Sequence, residues 1–98
     1  MRHPSVVVTS AQPLATGHWL RLTFADGAVH DVDLTEVFAA GGVFAPIATD
    51  RTLFEAVSVD EFGTVVWPGD VDLDPYVLRG EDRPASGIDI PRQVVQAA

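Results

Sequence analysis

Asp70, Asp72 and Asp74 place a carboxylate at every second position directly after Trp67-Pro68-Gly69, and Glu81 follows eleven positions after Asp70. That outline is the one a calcium loop uses, with oxygens at its first, third and fifth positions and a bidentate glutamate at its twelfth. Pro75, however, stands sixth, where the loop needs a glycine, and proline's φ near −65° forbids that turn. Leu73 and Leu78 also put apolar chains where polar ones are usual. A capping Asp74 and two turn-forming aspartates explain the same residues without a cation. The metal reading of Asp70, Asp72 and Asp74 therefore stands as the alternative and the strand-to-helix junction as the first expectation.

Other reactive side chains are dispersed. His3, His18 and His30 do not make a metal triad, and neighbours in a strand point to opposite faces, so His30 and Asp31 cannot meet as a general-base pair. His30 reads as a core-edge residue with one hydrogen bond, and His18 as a surface residue at a strand end. Ser5, Ser10, Ser58 and Ser86 sit in no nucleophile elbow, and no glycine-rich phosphate loop exists. Without cysteine there are no disulfides, thiolate zinc sites or cysteine nucleophiles. No catalytic constellation and no cofactor site is read here.

The elements that must position these residues are mostly strands. Val6–Thr9 is a short β-branched run. Pro13 and Gly17 bracket a turn, after which residues 18–24 alternate with Leu20, Leu22 and Phe24 on one face. Asp26-Gly27 marks a hairpin whose loop length decides its register. A two-residue loop would set Leu22 against Asp31 and Leu20 against Asp33, placing acids on the apolar face. A three-residue loop, Ala25 to Gly27, pairs Leu20 with Val32, Leu22 with His30, and Arg21 with Asp31 on the opposite face. The second register is the expected one.

A helix over Asp33–Ala40 follows, capped by Asp33 or Thr35 and ended by Gly41, with Leu34, Val37 and Phe38 as its apolar stripe. Val43–Ile47 reads as a packed connector and Asp50–Ala56 as a second helix capped by Asp50. Val57–Val59 and Thr64–Trp67 form a hairpin across residues 60–63. Pro75–Arg79 reads as one helical turn with Asp74 at the cap and Gly80 as its exit. The expected fold is α+β, a small antiparallel meander of hairpins with two to three short helices on one face. Residues 1–80 form one compact domain and 81–98 a polar linker and tail, which either frays or docks on its own sheet or a second copy.

Composition bounds the rest. A chain of 98 residues buries only about 60–65% of its unfolded surface, which leaves one core. With 47% hydrophobic and 20% charged residues it is globular. No stretch approaches the roughly 18 apolar residues that span a bilayer, and the N-terminal valine run is too short for a signal peptide, so a cytoplasmic protein is expected. Six arginines, no lysines and fourteen acids give a net charge of −8, which repels phosphate and excludes direct nucleic-acid binding.

The motif order Phe24-x-Asp26-Gly27, Asp33-Leu34, Val43-Phe44, Phe54-x-x-Val57, Trp67-Pro68-x-x-x-Asp72-Leu73 and Leu78 resembles the bacterial family catalogued as domain of unknown function 2442. The likeness spans roughly residues 5 to 80, and the Trp-Pro with its following Asp-Leu is its most specific part. It implies a compact α+β domain without an assigned activity. It also implies a gene neighbour from a second small family of unknown function, numbered 4160, and so a two-gene module of toxin–antitoxin type. Some relatives append a helix-turn-helix domain, for which the tail after Gly80 is too short.

One surface stands out. Trp19 shares with Arg21 and Thr23 the strand face opposite Leu20 and Leu22, and an exposed tryptophan on a sheet face is common at protein interfaces. Either a loop or the tail covers it, or Trp19, Arg21 and Asp31 bind another chain. A protein-interaction module, antitoxin-like towards a cognate small protein encoded nearby, is the functional expectation. A homodimer through the sheet or tail, and a ligand- or metal-binding domain using the Asp70–Asp74 loop, are its competitors.

Overall fold

Leu20, Leu22 and Phe24 of β2 (Trp19–Phe24) are buried, alternating with half-exposed Trp19, Arg21 and Thr23. In the computed structural model, which describes residues 6–82 and 87–98, β2 pairs with β3 (Val29–Asp33) in the expected register. Leu20 lies opposite Val32, Arg21 opposite Asp31 and Leu22 opposite His30. The three-residue loop sets it: the Phe24 N–H donates to the Ala28 carbonyl at 2.9 Å and Gly27 takes a φ of 94°. The Asp26 carboxylate accepts from the Ala28 N–H at 3.1 Å, which closes the turn.

The first strand, β1, runs over Val8–Pro13 rather than Val6–Thr9, with Pro13 opposite Leu20. It is an edge strand, where exposed Ser10 and Gln12 and a terminal proline cost the ladder little. The other edge of the first sheet is β7 (Arg92–Gln96), so the order is β1-β2-β3-β7. Of the two courses expected for the tail, fraying or docking, Arg92–Gln96 takes the second and supplies the fourth strand of the domain's own sheet. The Asp33 N–H donates to the Pro91 carbonyl at 2.9 Å, and Ile90 joins the core. Five residues with two valines cannot fold alone, but they can satisfy the open edge of β3.

The second sheet has the order β4-β5-β6 (Ser58–Val59, Val65–Trp67, Val71–Leu73). The β4–β5 hairpin forms as read, and the Asp60 carboxylate accepts from the N–H groups of Phe62 and Thr64, both at 2.9 Å. Gly63 closes it with a φ of 78°, and a Cβ there would stand 2.6 Å from Val7 Cγ1. Strand β6 lies inside the acidic run, where Val71 and Leu73 alternate with Asp72 over too few residues to read as a strand.

Among the described residues four short α-helices share the core with the sheets, one more than expected. α1 is Thr35–Ala39, starting later than read because Asp33 still belongs to β3; its carboxylate accepts from the Thr35 N–H at 3.0 Å and hydroxyl at 2.7 Å. The supposed connector is helical: a 3₁₀ turn, Gly42–Phe44, leads into α2, Ala45–Thr49, whose early Pro46 removes no needed donor. α3, Arg51–Glu55, is capped by Asp50, which accepts from the N–H groups of Thr52 and Leu53. α4, Pro75–Arg79, is capped by Asp74, which accepts from the Tyr76 N–H at 2.8 Å, and ends in left-handed Gly80.

An aromatic cluster joins these layers. Phe38 of α1 meets Trp67 edge-on at 5.6 Å, Phe54 of α3 stacks on it at 6.5 Å, and the indole N–H donates to the Phe54 carbonyl at 3.1 Å. His18, expected on the surface, is half-buried: its ring packs against Phe38 at 5.2 Å and Phe54 at 5.3 Å. Among the described residues no helix is long and apolar enough to cross a membrane.

Candidate functional site

The acidic run is divided among three structural jobs. Asp70 ends the turn between β5 and β6 with a φ of 61°, a conformation that aspartate tolerates better than most residues. Asp72 lies in the middle of β6, opposite Val66, and Asp74 is the cap of α4. Pro75 opens a helix where a calcium loop would turn. Among the described residues, no three or more His, Asp or Glu side chains are grouped so as to hold a metal ion. The structure therefore does not gather Asp70, Asp72 and Asp74 around one point.

The Trp19 face is built as the register required. The Arg21 guanidinium forks onto the Asp31 carboxylate, Nε to Oδ1 at 2.8 Å and a terminal nitrogen to Oδ2 at 2.9 Å. This contact, more than the carboxylate's charge alone, raises the Arg21 pKa further above its ordinary value. Trp19 lies on the same face, half-buried, two residues along from Arg21. β7 extends the sheet in its own plane, so Gln93 falls beside Asp31 and the tail runs alongside this face.

His30 is the core-edge residue expected. It is buried, its ring lies 5.1 Å from Phe24, and its Nδ1 faces an Arg92 guanidinium nitrogen at 3.2 Å. Burial lowers its pKa first, the positive charges of Arg79 and Arg92 lower it further, and Asp26 opposes them. Asp31 is turned away to Arg21, and Asp33 accepts from Thr35, so His30 forms no dyad with either. His3, Ser5 and Ser86 lie outside the described residues.

Apart from Arg21, the places taken by the arginines were not legible in the sequence. Arg51 pairs with Glu55 at 2.8 Å, donates to the carbonyls of Leu14 and Gly17, and lies over the Phe54 ring. Arg79 forks onto Asp26 at 3.0 and 3.2 Å and lies over Phe24. Arg92 donates to the Leu78 carbonyl at 2.7 Å, and burial depresses its pKa ahead of repulsion from Arg79. Every arginine among the described residues is thus engaged within the fold, while Asp70 and Asp72 make no ion pair among those residues.

Beside Asp72 an open groove of about 450 Å³ separates the end of α1 and the 3₁₀ turn from β6 and α4. Val37, Val43, Phe44, Leu73 and Val77 line it, together with exposed Asp72 and Asp74. Val43 is 67% exposed. The only signal in the sequence was an apolar Val43-Phe44 pair placed directly after a double glycine.

A family model described as a protein of unknown function, DUF2442, matches residues 8–84, which takes in β1 through α4 and stops short of β7. No curated protein and no solved structure matches the chain.

Proposed function

The chain belongs to the DUF2442 family, and from that starting point we propose that it works as a small acidic protein-interaction module in the cytoplasm. Its most concrete form is antitoxin-like: neutralising a cognate small protein encoded by an adjacent gene. The observation that carries this reading is the partition of charge. The described arginines are spent on internal carboxylates and carbonyls, and Asp70 and Asp72 are left to face outward on a chain of net charge −8. Such a surface favours encounter with a basic or neutral protein and disfavours phosphate backbones.

The face of Trp19 and Arg21 suits the same role, since the guanidinium is held in place by buried Asp31 before any partner arrives and the indole beside it remains partly exposed. Co-expression with the adjacent gene product and co-purification test the reading. A complex weakened by Trp19→Ala supports it; no complex at low salt removes the antitoxin form, and a complex indifferent to Trp19→Ala removes that face. One observation favours a second reading, a homodimer joined edge to edge through β7, where Val94 and Val95 are 55% and 48% exposed on an outer strand. Sedimentation over a range of concentrations separates the two.

A further inference from the structure

The groove beside Asp72 has an apolar floor, and exposed Asp72 and Asp74 are among its lining residues with exposed Asp70 close by in sequence, which is the complement of a particular kind of peptide. Val37, Leu73 and Val77 are core residues at 6%, 8% and 8% exposure whose remaining surface is offered to the groove. Ala40, Gly41 and Gly42 complete the wall without a long side chain that could close over it, and exposed Val43 stands at the lip. We propose that this groove receives a segment of a partner protein that presents one large apolar side chain flanked by lysines or arginines. The inference rests on the interaction-module reading and names the partner's chemistry.

The lining argues for an apolar anchor. Among the described residues its only charged lining residues are the two aspartates, so no convergent set of polar groups is seen there to orient a small polar molecule, as pockets for such ligands provide. The charge argues for basic flanks. Asp72 has no cationic partner among the described residues, Asp70 lies on the preceding turn, and Asp74 carries its charge at the start of α4. A second copy of this chain would bring net charges of −8 together across the contact, and an anionic lipid surface would be repelled in the same way.

Short synthetic peptides with a central Phe flanked by lysines, by glutamates or by serines test this, with amide NMR shifts of the full chain as readout. The lysine-flanked peptide is expected to shift the amides of Val37, Val43, Leu73 and Val77 and to bind at least about tenfold more tightly than the glutamate-flanked one. That difference is equivalent to about 1.4 kcal/mol and should shrink as salt rises. Val43→Asp should abolish binding, and Asp72→Lys should move the preference towards glutamate flanks. Both positions are exposed, so an unchanged melting curve confirms that each variant folds.

Equal binding of the three peptides, shifts centred on Trp19 or β7, or a flank preference untouched by Asp72→Lys would each overturn the assignment. So would concentration-dependent shifts of the groove without peptide, which would make a second copy the occupant. The two readings fail separately. If the adjacent gene product binds the Asp72→Lys variant as tightly as the original chain, the groove assignment falls and the interaction module stands. If the lysine-flanked peptide binds but the adjacent product does not, the groove stands and the antitoxin form falls.

Discussion

Removing the Arg92 side chain tests whether the C-terminal strand belongs to the domain. Its guanidinium donates to the Leu78 carbonyl at 2.7 Å, more weakly to Val77, and faces His30 Nδ1 at 3.2 Å, so it ties β7 to the end of α4 and to β3. The Leu78 carbonyl is one of those that a helix leaves unpaired at its C-terminus, and Leu78 is fully buried. Stranding it costs about 1–3 kcal/mol. The loss of packing against Gly80 adds to this, because the guanidinium carbon lies only 2.8 Å from where a Cβ at Gly80 would stand. Relief of desolvation and of repulsion from Arg79 subtracts from it. The balance for Arg92→Ala is a loss of about 2 kcal/mol, or a fall in melting temperature of about 8–16 °C for a chain of this size. Urea titration of Arg92→Ala and Arg92→Met separates the lost donors from the lost packing. NMR titration should show the His30 pKa rising towards its ordinary value, because one of the charges that depress it has gone. A loss under about 0.5 kcal/mol with His30 unmoved would show that β7 is not held in this way.

Gly63→Ala should destabilise the chain by about 2–4 kcal/mol in urea titration, since a left-handed alanine and a Cβ pressed on Val7 and the Val8 backbone add together. Asp50→Ala should cost about 1 kcal/mol by the same measurement, the usual loss of a helix cap. Stability should be level above neutral pH and fall as pH drops below about 6.5, because unfolded chains then bind a proton that buried His30, with its lowered pKa, refuses. His30→Gln should remove that fall. The loss from Asp26, whose carboxyl is held low chiefly by its hydrogen bond from Arg79, belongs to pH below about 4. Millimolar calcium should leave the melting temperature unchanged, and a rise that Asp70→Ala/Asp72→Ala abolished would restore the cation site.

What could be read from the residues alone was local. The β2–β3 register followed because only one loop length keeps Asp31 and Asp33 off the apolar face and sets Arg21 beside Asp31. Asp50 before α3, and Asp74-Pro75 with Gly80 around α4, announced their helices through hydrogen bonds that reach two or three residues along the chain. Strand β6 escaped notice because two apolar residues among aspartates look the same as a turn, and it exists only because β5 lies beside it. Docking of β7, the pairing of Arg79 with Asp26 across 53 residues, and the groove between α1 and α4 were decided by tertiary structure. Each depends on which edges and surfaces remain open once the sheets and helices have assembled, and short-range preferences carry no record of that.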